Sequence, residues 1–269
     1  MHLKTVIFTV VSALTCSSAV VPETETIQEI YDRVTSRPNT NATLHRRGCY
    51  ERWMDFSNRA THSGFDLQTT GANQNPNGDG WWMHSRSAGT GGNTWSRLRF
   101  SDYTFNGHPN AKTHISVVMR GAPDGGKNSN AYLIQTNGKY DLGAAVQDGT
   151  KDEIDFSEYY GGSKKATSCL YKSGRTVSGF PKTYPVSDAG NRFYKYEMVL
   201  DNAARDLHLF LSVDGQPLNE HIHVQGNSVP DKPMELFAGI WDCSGNNWCP
   251  GVFNGDAGMV IKSIWVQGC

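Results

Sequence analysis

The chain has 269 residues, and its 25 basic and 26 acidic side chains nearly cancel. That balance excludes a nucleic-acid or anionic-membrane binder, which would carry a basic stripe. Abundant glycine (28 residues) with plentiful tryptophan and tyrosine suits an all-β extracellular domain with many turns.

In chain order, residues 1–4 are short and basic, and residues 6–16 form an apolar run too brief to span a bilayer. Ser17-Ser18-Ala19 follows. This is the pattern of a secretory signal cleaved after Ala19. Residues 20–47 read as a second removable piece, polar and containing Pro22 and Pro38. It holds the only helical periodicity, near residues 23–34, and the sequon Asn41-Ala42-Thr43. It ends in Arg46-Arg47, a dibasic pair suited to a processing protease, directly before Gly48-Cys49. The mature product is expected to be residues 48–269, a single secreted domain with no membrane span, monomeric, and carrying 20 basic against 22 acidic residues.

Short strands and turns fill that domain. Residues 113–119 and 131–135 are β-branched and aromatic runs separated by the turn cluster 121–126. Residues 193–200 and 207–213 repeat the pattern, the second ending at Asp214-Gly215, and 258–266 make a final strand. The fold class this implies is all-β, a two-sheet antiparallel β-sandwich. Five cysteines remain after the signal. Cys49 with Cys269 would join the two ends, Cys243 with Cys249 would close a small loop, and Cys169 would stay free.

The most informative segment is residues 152–161, Asp-Glu-Ile-Asp-Phe-Ser-Glu-Tyr-Tyr-Gly. Carboxylates crowded on one strand repel each other and raise one another's pKa, which serves acid–base or nucleophilic chemistry. Alternation puts Glu153 and Asp155 on one face and Ile154 and Phe156 on the other. Glu158 joins the carboxylate row only if a β-bulge accommodates one extra residue. Asp152 points the other way and receives no role.

The Glu-x-Asp-x-x-Glu run, followed by aromatics and glycine, resembles the catalytic strand of glycoside hydrolase family 16, in its bulged, laminarinase-like branch. The segments ending in Val213-Asp214-Gly215, the strand bearing Trp241 and the closing strand 259–266 are similar to that family as well. The resemblance implies a concanavalin-like jelly roll whose concave sheet holds a β-glucan, with a β-1,3-linked glucan as the leading substrate. It implies Glu153 as nucleophile, Glu158 as general acid and then base, and Asp155 between them, in a retaining endo-glycanase that hydrolyses or transglycosylates.

Sugar rings stack on indole and phenol faces. Tyr160, Trp241, Trp82 and Trp248 are the substrate-binding candidates, with Trp95 behind them; of the adjacent Trp81 and Trp82 at most one can face sugar. No cofactor is expected, and no metal: His221-Ile-His223 offers two imidazoles on one strand face, but no third ligand has suggestive spacing. Two other readings stay open. One is a lectin-like domain without turnover; the other is a polysaccharide lyase using His84, His114 and Arg120.

Overall fold

Alternating inward and outward side chains, closed by glycine-rich turns, build the whole described domain from strands. The computed structural model describes residues 49–56, 65–70, 74–86, 94–135, 149–213, 219–244 and 256–269, with isolated residues among 28–32, 216 and 246–251. In chain order the strands are β1 (Tyr50–Asp55), β2 (Phe65–Thr70), β3 (Gln74–Asn77), β4 (Gly80–Arg86), β5 (Trp95–Phe100), β6 (Lys112–Arg120), β7 (Lys127–Ile134) and β8 (Glu153–Tyr160). They continue as β9 (Lys165–Lys172), β10 (Arg175–Thr176), β11 (Lys182–Pro185), β12 (Tyr194–Asp201), β13 (Asp206–Val213), β14 (Asn219–Gln225), β15 (Glu235–Asp242) and β16 (Asp256–Gly268). The signal and propeptide boundaries lie outside the described residues.

Two sheets form. One has the order β14-β13-β12-β6-β16-β4-β3, with β1 also on β16; the other has β10-β9-β8-β7-β15-β5-β2, with β11 also on β9. Every named pairing is antiparallel. The sandwich read from the sequence is therefore the fold observed. Its core lies between the sheets, where Leu98, Leu133, Ile154, Leu170 and Leu236 meet Met83, Val117, Met198, Leu209 and Ile264. Each fully buried aliphatic side chain contributes about 1.5–3 kcal/mol of hydrophobic stabilisation.

The long strand β16 does much of the joining. Its first half pairs with β4 and its second with β1, while β6 runs along its other edge. Cys269 at its end exchanges backbone hydrogen bonds with Lys112 and forms a disulfide with Cys49. A second disulfide links Cys243 and Cys249, and Cys169 is free and buried. No helix among the described residues is long and apolar enough to cross a membrane.

Two strands differ from the sequence reading. β7 starts at Lys127, four residues earlier than expected, because Lys127-Asn-Ser-Asn130 is polar and hides its alternation. β14 contains a register shift: Leu209 pairs with Ile222 but Phe210 with Glu220, so His221 is an extra residue. His221 turns toward the core residue Tyr184, ring centroids 4.2 Å apart, while His223 stands opposite His208. The two imidazoles do not share a face. Burial lowers the His221 pKa to about 4.

Candidate active site

The sheet containing β8 carries the three carboxylates, and a misfit of one residue sets their direction. Against β7, Asp155 pairs with Tyr132 and Ser157 with Ala131, leaving Phe156 unmatched. Against β9, the three steps from Asp155 to Glu158 face only two from Cys169 to Thr167. One extra residue is a β-bulge. Phe156 enters the core, and the fully buried Ser157 lies beside the core residues Tyr184 and Tyr196. Two consecutive inward residues restore the alternation for Glu158. Glu153, Asp155 and Glu158 thus leave the sheet on one face, away from Ile154, Phe156 and Tyr159 in the core.

Neighbouring strands fill in around them by register. Asn130 on β7 stands opposite Glu158, Gly239 on β15 opposite Asn130, and Arg97 on β5 opposite Gly239. The adjacent row runs Tyr160, Asn128, Trp241, Trp95. On the other side, Cys169, Asp155, Tyr132 and Phe237 form a third row.

Specific contacts orient these groups. Asn128 Nδ2 donates to Glu158 Oε1 at 2.8 Å, and the Tyr160 hydroxyl donates to Oε2 at 3.3 Å. The Asn130 amide, turned to satisfy both neighbours, accepts from Trp241 Nε1 at 3.2 Å and donates to the Gly239 carbonyl at 3.1 Å. Arg97 donates to the Tyr132 hydroxyl at 3.1 Å and to Gln68 at 2.8 Å. Its guanidinium lies 4.9 Å from the centroid of Trp95 and 4.6 Å from that of Phe237. Gly239 has a packing reason: a Cβ there would come within 2.6 Å of the Ser96 carbonyl oxygen.

The electrostatics separate the carboxylates. Burial, then the negative charges of Glu153 and Glu158, push the Asp155 carboxyl well above its ordinary 3.8; a hydrogen bond to Glu153 adds to the rise. A protonated Asp155 can donate to Glu153 and leave that glutamate ionised. Burial also raises Glu158, against the opposing hydrogen bonds from Asn128 and Tyr160. Both the middle and the far carboxyl are thus raised above their ordinary values.

This sets a test of stability. A folded state that binds the Asp155 proton more tightly than the unfolded chain is fully stabilised below about pH 4 and loses that contribution as pH rises through the folded pKa. Asp155→Asn carries no charge to desolvate. It should melt several degrees above wild type at pH 7.5, at about 2–4 °C per kcal/mol, and show no such gain at pH 3.5. Calorimetry at both pH values checks this; a lower melting temperature at pH 7.5 would count against the buried-charge account.

Of the residues proposed from sequence to touch substrate, Tyr160 and Trp241 stand on the carboxylate face. Trp82 does not join them. Trp81 is in the core, so Trp82 leaves the outer face of the other sheet, where it lies tilted against His84 with centroids 4.1 Å apart and over Gly258. Trp248 is outside the described residues. Asn128, Asn130, Tyr132, Arg97 and Phe237 were not anticipated; the period-2 spacing of Asn128, Asn130 and Tyr132 was the signal available for three of them. His84, His114 and Arg120, the lyase candidates, belong to strands of the other sheet.

Comparison with known proteins agrees with this layout. The chain is 32% identical over 104 residues to a probable xyloglucan endotransglucosylase/hydrolase of Arabidopsis thaliana, a match covering 36% of this chain and 29% of that protein's length. Among solved structures it resembles the Bacillus licheniformis β-glucanase (TM-score 0.58, 16% identity, 80% of this chain and 97% of that one). It also resembles the apo form of the Crh5 transglycosylase (TM-score 0.57, 20% identity, 81% and 83%). The model of Glycosyl hydrolases family 16 matches residues 81–255, a span that takes in the bulged strand β8 and every row built around it. The chain belongs to glycosyl hydrolase family 16.

Proposed function

We propose that the protein is a secreted retaining endo-β-glucanase or transglycosylase acting on a β-1,3-linked glucan, with Glu153 as nucleophile and Glu158 as acid and base. The observation that carries this reading is the bulge that turns Glu153, Asp155 and Glu158 to one face. Four ladder steps of about 3.3 Å separate the outer two along β8. A carboxyl separation of about 5–5.5 Å, which double displacement needs, then requires their side chains to lean toward one another over Asp155.

In the first step the Glu153 carboxylate attacks the anomeric carbon. The glycosidic C–O bond breaks, Glu158 gives its proton to the departing oxygen, and a glycosyl ester forms on Glu153. In the second step the Glu158 carboxylate takes a proton from the acceptor hydroxyl, whose oxygen displaces Glu153. Water as acceptor gives hydrolysis; a sugar hydroxyl gives transfer. The raised Glu158 suits the acid, and Asp155, raised and hydrogen-bonded to Glu153, is placed to donate to the ionised nucleophile. Tyr160 and Trp241, with Trp95 in the same row, supply faces on which sugar rings stack. Secretion is supported by the signal pattern of residues 1–19, and the linkage by the bulged motif.

Incubation with laminari-oligosaccharides separates the outcomes. New reducing ends mark hydrolysis, and products longer than the substrate mark transfer. Binding of β-glucan with neither product would sink the proposal in favour of a lectin-like role, and ultraviolet-absorbing unsaturated products from uronate polymers would point to a lyase.

A further inference from the structure

The outer face of the other sheet holds a second group of chemically capable side chains. Asp206 and His208 are two residues apart on β13 and share a face; His223 on β14 stands directly opposite His208. Leu207, Leu209 and Ile222 between them belong to the core, so the three polar groups point away from it. His223 Nε2 lies 2.7 Å from Asp206 Oδ1 and His208 Nε2 lies 3.0 Å from Oδ2. The two rings are nearly parallel, at 14°, with centroids 4.2 Å apart. One ligand atom from each residue falls within 4.8 Å of the other two.

The surroundings favour an ion. Phe210 stacks on His208 at 6.0 Å, and Val199, the β12 partner of His208, is buried, so one side of the cluster is apolar. His223, 39% exposed at its side chain, leaves the other side open to solvent. Asp206 stands between the two imidazoles, with one carboxylate oxygen toward each.

We propose that Asp206, His208 and His223 form a binding site for a divalent transition ion of the zinc class. Two imidazole nitrogens and one carboxylate oxygen are a borderline donor set; calcium and magnesium prefer shells made of oxygen. Ligand atoms about 2.1 Å from a tetrahedral zinc are about 3.4 Å apart, a spacing within the 4.8 Å that already bounds one ligand atom from each of the three residues. Each imidazole moves its remaining proton to Nδ1 and presents the Nε2 lone pair, and water completes the shell. The ion would clip β14, which among the described residues pairs only with β13 and ends its sheet, to the rest of the domain. The site stands apart from the carboxylate face and is independent of which glycan is cut.

The test uses the mature enzyme without a polyhistidine tag, stripped with chelator and titrated with ZnCl2 by calorimetry, and with CoCl2 by visible absorption. Wild type should bind one equivalent saturably, show cobalt d–d bands and melt several degrees higher with zinc. His223→Ala and Asp206→Asn should each weaken zinc binding at least tenfold, while His108→Ala, at an exposed loop histidine, should bind as wild type does. His223→Ala should keep its glucan turnover. Absence of saturable binding up to 1 mM zinc, or binding by His223→Ala as tight as wild type, overturns the proposal.

Discussion

Glu153→Ala is expected to lower glucan turnover by roughly ten-thousand-fold or more, and added azide should restore part of it as an α-glycosyl azide. Without the carboxylate, the small anion enters the vacated space and attacks the anomeric carbon from the same side, while Glu158 still protonates the leaving oxygen. The product is inverted relative to the β-linked substrate. Glu158→Ala should fail differently. Substrates with good leaving groups still glycosylate Glu153, because no proton is needed for departure. Azide then attacks the ester from the opposite side without a general base, and the product is a β-glycosyl azide. The loss on an ordinary glucan should be about a hundred- to ten-thousand-fold, the range for a single acid–base group. Anomeric configuration by proton NMR reads the two results apart. An α product from Glu158→Ala, or the same anomer from both variants, would reverse or dissolve the assignment of roles.

How far this face could be read from the sequence depended on which rule each residue obeyed. The carboxylate row was legible because three acids in six positions break the usual composition of a strand, and the required bulge followed from counting alternation. Asn128 and Asn130 were not legible. A strand whose outer face is meant for hydroxyl-rich ligand has polar residues there, and Lys-Asn-Ser-Asn looks like a turn. Trp82 failed for another reason. Its neighbour Trp81 fills the core, so the side it faces is fixed by which sheet β4 joins, and pairing with β16 is a long-range fact that no local pattern encodes. The same bulge logic that succeeded for Glu158 was missed for His221 and His223. The extra residue in β14 sends His221 inward and brings His223 beside a partner from β13 that sequence spacing did not suggest. Cysteine pairing was legible at the chain ends because antiparallel β1 and β16 finish side by side, Tyr50 opposite Gly268.

The strand that bears the three carboxylates also depends on a residue that sequence reasoning set aside. Asp152, directly before β8, is fully buried, and its carboxylate accepts three backbone N–H bonds. Ser173 N donates to Oδ1 at 2.8 Å; Asp231 N and Lys232 N donate to Oδ2 at 2.9 and 3.2 Å. The Lys232 ammonium lies 4.0 Å away. Asp152 thereby ties the turn after β9 and the loop before β15 to the start of the strand bearing Glu153. Its main chain is held as well, with Gln135 N donating to the Asp152 carbonyl at 2.9 Å. Hydrogen bonds to a charged acceptor contribute about 1.5–3 kcal/mol each, and removing one partner from a buried charged network costs about 3–5 kcal/mol. Asp152→Ala leaves three backbone N–H donors without their acceptor at once. It should lose about 3–5 kcal/mol, a third or more of the stability of a typical domain. Asp152→Asn keeps one acceptor oxygen but turns an NH2 toward N–H donors, so it should recover only part of the loss. Urea unfolding gives the measurement: the midpoint should fall with little change in slope. If Asp152→Ala unfolds within about 1 kcal/mol of wild type, water replaces the carboxylate at this junction, and the start of β8 is held by its ladder alone.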